Sequence, residues 1–293
     1  MKKFSIGRLL LHILLILIGL SCIIPLLFLL SISLSAEETI QEYGYTFIPK
    51  MFSLQAYRMA FANPTEILNA YKITTSYSII GVVLALLVQS MVAYPLSKKN
   101  YKFKKITMYF IFVTMLFSGG LVPSYIINTQ YLHLGDNFLI YILPSLVGAW
   151  NVIVLKTFFQ GLPNGLTEAA KIDGANEFQI YFKMILPLSK PVLATIGFMG
   201  LLAKWNDWNT SLVYIRKPEM YSLQYLLQRI LREAEYVKKA ADTTSAVLIN
   251  KENLPTETYK YAMCILASGP MLVIFPFFQK YFTRGLVVGS IKG

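Results

Sequence analysis

The chain has 293 residues, of which 55% are apolar and only 14% charged, with a formal net charge of +12 and a mean hydropathy of +0.53. Soluble domains carry about 25% charged residues, so this composition excludes an ordinary soluble globule and, with so much apolar content, a disordered chain. The 27 basic residues are scattered between apolar blocks and form no single stripe, which argues against a nucleic-acid-binding domain and for a polytopic membrane protein.

A membrane-crossing helix needs about 20 mostly apolar residues. Six blocks meet that need, at residues 9–31, 73–94, 106–128, 138–159, 188–209 and 261–282. Lys2, Lys3 and Arg8 precede the first, and Ser33-Leu34-Ser35 before Ala36 resembles a cleavage site. Its apolar run exceeds the roughly 7–15 residues of a signal core, so it is read as a retained span. Pro191, Pro270 and Pro276 interrupt the last two blocks, and buried membrane helices tolerate this where neighbours satisfy the freed carbonyls. Cys22 and Cys264 both lie inside apolar blocks, so no disulfide framework or metal-ligand spacing is present.

Lysine and arginine in short loops set orientation. Lys98, Lys99, Lys102, Lys104 and Lys105 crowd the loop after the second span, whereas residues 129–137 contain none. The first loop is therefore expected in the cytoplasm, with both termini and residues 160–187 on the same side. Residues 33–72 and 210–260 then lie outside. Segment 210–260 carries eight basic and six acidic residues, but long segments follow the charge rule poorly.

In the first outer segment, Leu54, Tyr57 and Phe61 recur at helical spacing after Ser53. This helix serves either as a membrane-surface element or as a partner platform. In the second, Leu223, Leu226, Leu227, Ile230, Leu231, Ala234 and Val237 make one apolar stripe, with Ser222 as the expected cap. Residues 242–258 are polar and read as a projecting loop.

The inner segment 160–187 predicts a short helix opening near Thr167 or Glu168, with Glu168 near its positive end. Ala169, Ala170 and Ile172 give it a small apolar contact surface. Gly174 allows a sharp turn into a second helix over 177–185, expected to end before Pro187. Physics alone leaves a docking knob and an ordinary amphipathic loop almost equally open.

The run Glu168-Ala169-Ala170-Lys171-Ile172-Asp173-Gly174-Ala175, followed by Leu186-Pro187, resembles the EAA motif of ABC importer permeases. Met184 stands where the family usually has isoleucine, a conservative departure. Ser118-Gly119-Gly120-Leu121-Val122-Pro123, Ser189-Lys190-Pro191 and the ending Gly289-Ser290-Ile291-Lys292-Gly293 are similar to the MalG-like carbohydrate branch, and within it to permeases for fragments of complex polysaccharides. The resemblance covers essentially the whole chain. It implies an all-α, six-span, type I (MetI-like) permease in a bacterial cytoplasmic membrane. The implied organisation is a first helix and outer segment over 1–72 and a permease core over 73–293. Within that core lie the coupling segment 160–187, an outer loop 210–260 that contacts the binding protein, and a tail over 283–293. The implied partners are a second permease, two ATPase subunits that hold ATP and magnesium, an extracytoplasmic solute-binding protein and an oligosaccharide. Residues Glu168, Ala169, Ala170, Ile172, Asp173, Gly174, Ala175, Leu186 and Pro187 would carry ATPase coupling.

The chemistry of the chain is compatible with that role. It has no phosphate-binding loop and thus no usual means of binding ATP itself, no His-Glu-x-x-His pair and no Gly-x-Ser-x-Gly elbow. No catalytic residue, metal site or cofactor is expected. Apart from Asp207, the six blocks contain no carboxylate, and His12 and His133 make no relay, which disfavours a proton-coupled secondary transporter. A passive channel and a membrane-embedded enzyme compete with the importer as functional classes. For a sugar path, Lys204-Trp205-Asn206-Asp207-Trp208-Asn209 combines aromatic faces with hydrogen-bonding groups, and Lys204 would suit an anionic sugar. An interfacial aromatic belt, or a simple Lys204–Asp207 pair, explains the same residues. Trp150, Asn151 and Gln89 are weaker candidates, as is Asn128; interhelical hydrogen bonding is their ordinary use.

Overall fold

The structure is a computed structural model that describes residues 6–242 and 257–285. Of the loop expected over 242–258, residues 243–256 lie outside the described residues, while Asp242 ends one helix and Glu257 and Thr258 open another. Residues 286–293 of the tail expected over 283–293 also lie outside them, as do Lys2 and Lys3. In chain order the helices are α1 (Ile6–Ser33), α2 (Glu37–Tyr43), α3 (Gln55–Ala60), α4 (Pro64–Ser97), α5 (Lys104–Leu116), α6 (Leu121–Ile126) and α7 (Ala149–Gln160). They continue with α8 (Asn164–Ile172), α9 (Glu177–Ile180), α10 (Leu186–Leu188), α11 (Lys190–Trp205), α12 (Asn209–Tyr214), α13 (Leu223–Asp242) and α14 (Glu257–Gly285). No strand occurs among the described residues.

Three unbroken helices are long and apolar enough to cross a bilayer: α1 from Leu9, α4, and α14 as far as Gln279. On α1, leucines and isoleucines from Leu9 to Leu27 are exposed on every side. So large an apolar surface is untenable in water and requires lipid or a partner around it. At 1.5 Å per residue, the 34 residues of α4 reach about 51 Å, longer than the hydrocarbon core is thick.

Three further apolar stretches are bent pairs, and six spans result if each pair counts as one. Here the structure corrects the expectation of plain crossings. In block 106–128 the chain turns by 113° between α5 and α6. Phe117 is extended and Gly120 has φ +82°, a left-handed conformation that glycine adopts without a Cβ penalty. In block 138–159 the first part is 3-10 helix, over Phe138–Tyr141 and Leu143–Ser145, and a 50° bend precedes α7. In the fifth stretch a 76° bend at Ser189 separates α10 from α11, which runs only from Lys190 to Trp205. Pro191 sits in the first turn of α11, where its missing N–H costs nothing. By contrast, α14 runs unbroken through Pro270 and Pro276.

The described residues form two compact units, one drawn from Met1–Leu68 and Leu226–Pro270, the other from Asn69–Tyr225 and Met271–Gly293. In the first, the small residues at the end of α1 form a packed corner. Ser33, Ser35 and Ala36 are buried, Ser35 bridges to Phe52, and the Ala36 N–H donates to the Met51 carbonyl. Their smallness is explained by this packing. On α3 the buried face is Ala56 and Ala60, while Leu54 before it and Phe61 after it are exposed, which leaves both available to a membrane surface or a partner. The α13 stripe is as expected at Leu226, Leu227, Ile230 and Ala234, all buried.

The start of α14 is clamped from a distance in sequence. One Glu37 carboxylate oxygen accepts from Glu257 N (3.0 Å), and the other accepts from Thr258 N (3.0 Å) and Thr258 Oγ1 (2.8 Å). Free N–H groups at a helix start need such acceptors, and a carboxylate there also meets the favourable end of the dipole. Glu37→Ala is expected to cost about 1–2 kcal/mol locally. Hydrogen exchange at residues 257–260 should accelerate roughly tenfold, with exchange in α8 unchanged.

The second unit contains two apolar cores. One gathers Ala93, Leu96, Val152, Leu155, Phe159, Ile180, Ile185 and Ile196; the other gathers Tyr77, Leu134, Ile140, Tyr141, Ile142 and Ile215. The first supports the inner segment, and the second supports the end of α11.

Candidate functional site

The inner segment is built from the residues upward as a helix, a locked turn and a second helix. Helix α8 opens at Asn164, earlier than expected, so Glu168 lies in its second turn, not at its positive end. After Ile172 the chain ends the helix by hydrogen bonds alone. Gly174 N donates to Lys171 O (3.0 Å) and Ala175 N donates to Ala170 O (2.9 Å), the paired bonds of a Schellman turn. Gly174 has φ +81°, which makes that turn possible. Asn176 then caps α9: its side chain accepts from Gln179 N (2.8 Å), and Gln179 Oε1 accepts from Asn176 N (2.9 Å).

The second helix does not end before Pro187. It widens into a π turn over Tyr181–Ile185 and continues through Leu186–Leu188. A proline ring clashes with the carbonyl four residues back and offers no N–H to it, and a widened turn accommodates both defects.

Of the residues singled out in the sequence, Ala170, Ala175 and Leu186 pack against the first core, while Glu168, Ala169, Asp173 and Pro187 are exposed. Ile172 is 87% exposed and Phe178 68%, the most exposed large apolar side chains of this segment. Sequence reasoning missed what anchors it. Lys171 Nζ pairs with Glu177 Oε1 at 2.5 Å, and Tyr94 on α4 donates its hydroxyl to Glu177 Oε2 at 2.6 Å. One turn deeper, the Ser90 and Tyr181 hydroxyls lie 2.7 Å apart. No local signal could have linked Glu177 to a tyrosine 83 positions earlier.

The Lys171 and Tyr94 hydrogen bonds hold the Glu177 carboxyl below the usual carboxylate range. A depressed pKa contributes stability that is complete above the unfolded value and is lost as pH falls through the folded value. The anchor is therefore expected to be insensitive to pH between about 6 and 8 and to weaken as pH falls below about 4.3. Protection of the α8–α9 amides, corrected for intrinsic exchange, is the measurement. Glu177→Gln should lower that protection already at neutral pH.

The tryptophan-rich cluster at the end of α11 is divided by the structure. Lys204 does not pair with Asp207. Its ammonium turns inward and donates to Tyr141 O (2.7 Å) and Ser145 Oγ (2.7 Å). Its stem lies against Gly81, where an added Cβ would come within 2.7 Å of Lys204 Cε. Asp207 instead accepts from Thr210 N (3.0 Å) and Thr210 Oγ1 (2.6 Å). Trp205 is buried, Trp208 is half-buried, and Asn206 and Asn209 are exposed. The inward groups belong to a polar network. Tyr77 donates to Lys204 O (2.9 Å) and stacks on Tyr141 at 4.4 Å, and Tyr141 donates to Met220 O (2.8 Å). With 19 tyrosines in the chain, the sequence alone could not select these two.

Gln89 and Asn151 are brought together around Gly148: a Cβ there would meet Asn151 Nδ2 at 3.2 Å and Gln89 Nε2 at 3.5 Å. Gln89 is buried and donates to Leu146 O (3.0 Å), while its Oε1 has no partner. Trp150, beside them in sequence, is 64% exposed. Asn128 is buried and donates to the Tyr214 hydroxyl at 3.2 Å, an interhelical hydrogen bond.

Long apolar helices, broken spans and a braced, protruding helix pair define an all-α membrane permease. The chain belongs to the family of binding-protein-dependent transport system inner membrane components, which matches residues 3–288. It is similar to the polygalacturonan/rhamnogalacturonan transport system permease protein YtcP of Bacillus subtilis (strain 168), with 33% identity over 95% of this chain and 96% of that protein. Similarity to the arabinooligosaccharides transport system permease protein AraQ of the same organism is 27% over 99% and 98% of the two chains. A solved bacterial ABC transporter involved in the import of the acidic polysaccharide alginate contains a chain with the same fold, at a TM-score of 0.78 and 26% identity, covering 96% of this chain and 100% of that one.

Proposed function

We propose that this chain is a six-span permease subunit of an ATP-driven importer in a bacterial cytoplasmic membrane. It receives an oligosaccharide from an extracytoplasmic binding protein and passes it inward together with a second permease subunit. Two partner ATPase subunits hold ATP and magnesium; the chain itself has no phosphate loop. The observation that carries this reading is the segment from Asn164 to Leu188, locked at Gly174 and anchored to α4 through Glu177, with Ile172 and Phe178 left exposed. A rigid element of this kind can transmit a partner's motion, because displacing it displaces α4. Nucleotide-driven motion can shift the pathway only if it favours one permease state over the other, and an anchored knob meets that requirement.

The substrate is an acidic polysaccharide fragment. The polygalacturonan role of YtcP and the alginate role of the solved importer support this class. Lys204 does not, because both its close acceptors lie within the chain. Gln89, Asn151 and the exposed Trp150 are the better pathway candidates, since the Gln89 Oε1 acceptor is unused. The outer segment 210–260 would meet the binding protein, and the tail 283–293 would reach toward the ATPases.

Proteoliposomes containing the chain with its copurifying partners provide the test. Loaded binding protein and ATP should drive uptake of galacturonate oligomers, and ATP turnover should rise with it. Uphill uptake by the chain alone, or uptake indifferent to ATP, would overturn the reading. Preference for neutral over acidic oligomers would overturn only the substrate class.

A further inference from the structure

A cleft of about 800 Å³ opens where the inner end of α4 meets α7, α8 and α9, and Glu168, Lys171, Glu177 and Phe178 of the coupling segment line one side of it. Its walls are apolar at Met91, Phe159, Leu162 and Phe178, and its rim carries Lys98, Lys99 and Lys171. Two carboxylates, Glu168 and Glu177, also line it. Glu177 is already paired with Lys171, so that charge is spent.

Lys98 is different. It is half-buried, and its ammonium rests 4.6 Å from the centre of the Tyr94 ring. Among the described residues it donates to no acceptor and forms no ion pair within 4 Å. Burial lowers its pKa, and the nearby Glu177 offsets this only in part. An ammonium withdrawn from water without an acceptor is costly unless an anion from outside supplies one. The volume is that of a ligand pocket, and apolar walls under a basic rim match an amphiphile better than a free ion. Met91 is exposed on the flank of α4, so the apolar wall continues onto the surface that faces lipid in the proposed arrangement. Basic pockets between membrane helices on the cytoplasmic side bind anionic headgroups.

We propose that this cleft binds the phosphodiester headgroup of an anionic phospholipid from the leaflet on the coupling side, with Lys98 and Lys99 meeting the phosphate. The lipid then lies between the lysine loop and the coupling segment and braces the same joint as Tyr94 and Glu177. This rests on the reading of that face as cytoplasmic.

Native mass spectrometry of the full complex, purified with its partners and supplied with phosphatidylglycerol, tests it. The wild type should retain the lipid, and Lys98→Gln with Lys99→Gln should weaken retention by about thirtyfold, at about tenfold per 1.4 kcal/mol and about 1 kcal/mol per surface lysine. Lys102→Gln with Lys105→Gln, on the same loop but outside the cleft, should leave it unchanged. A diazirine-tailed phosphatidylglycerol should label peptides containing Met91 or Phe159. Soluble glycerophosphate should fail to displace the lipid; displacement at comparable concentration would mark a free-phosphate site and overturn the lipid source. Equal retention by the Lys98/Lys99 variant, or labelling confined to α1, would overturn the site. Retention is read without transport, so a working importer whose Lys98/Lys99 variant loses no lipid refutes this proposal alone. A lipid-binding chain that does not couple ATP refutes the importer reading alone.

Discussion

Replacing Gly174 by valine is expected to leave the complex assembled and to cut ATP-driven uptake about tenfold or more. The reason is conformational. A Cβ at Gly174 would meet nothing within 4 Å, so bulk is not at issue. The residue has φ +81°, and holding an ordinary L-residue there costs roughly 1–2 kcal/mol. To relieve that cost, the chain must give up the bonds Gly174 N to Lys171 O and Ala175 N to Ala170 O. Helix α8 then loses its fixed angle to α9, and exposed Ile172 and Phe178 lose their fixed relative placement. A 1.4 kcal/mol shift in that equilibrium is tenfold in the ordered population. Gly174→Asn separates strain from size, because asparagine visits left-handed conformations more easily. It should retain most uptake. The readout is uptake per ATP hydrolysed in proteoliposomes, with assembly checked by copurification. Equal losses for valine and asparagine would refute the strain argument, and normal uptake with valine would refute the coupling role.

The second large effect concerns Lys204. Lys204→Met keeps most of the stem but removes the ammonium that Tyr141 O and Ser145 Oγ accept from. Two opposing effects compete. Loss of charge-assisted hydrogen bonds costs about 1.5–3 kcal/mol each, whereas removing a desolvated charge returns part of that. The net expectation is destabilisation of about 2 kcal/mol, seen as a lower unfolding midpoint in detergent. Gly81→Ala provides an independent check. Its Cβ would approach Lys204 Cε to 2.7 Å, and Lys204 is pinned at its far end, so it can yield only by stretching those hydrogen bonds. Gly81→Ala should therefore destabilise the wild type and cost much less on the Lys204→Met background. Additive effects would mean that the two side chains do not share this contact. If Lys204 instead reads an anionic sugar, Lys204→Met should raise the apparent KM for acidic oligomers without changing the unfolding midpoint.

The anchor at Glu177 and the network at Lys204 share a design. Tyr94 of α4 meets Glu177 on the short helix α9, and Tyr77 of α4 meets the Lys204 carbonyl on α11, whose ammonium reaches the Tyr141 carbonyl. Apolar packing between membrane helices is nearly indifferent to register, because lipid offers similar contacts. Directional polar links supply the register that apolar contact leaves open. On α4, Tyr94 lies in the last turn and Tyr77 near the middle of the helix.

The amino-acid sequence by itself determined the class of structure, the apolar blocks, the α13 stripe and the turn at Gly174. These are local properties: run length, helical periodicity and a residue without Cβ can each be read within a few turns of chain. It also placed the inner helix pair, though α8 begins earlier and the second helix passes through Pro187 on a widened turn. Only the tertiary structure decided where the spans break and what Lys204, Gln89 and Glu177 face. Those outcomes depend on partners 57 to 83 positions away, such as Leu146 for Gln89, Tyr141 for Lys204 and Tyr94 for Glu177. A lysine beside an aspartate three positions on looks like a pair in sequence. Packing gave each a different partner, because the ammonium reaches the carbonyl of buried Tyr141 and the Ser145 hydroxyl, and the start of α12 needed the carboxylate.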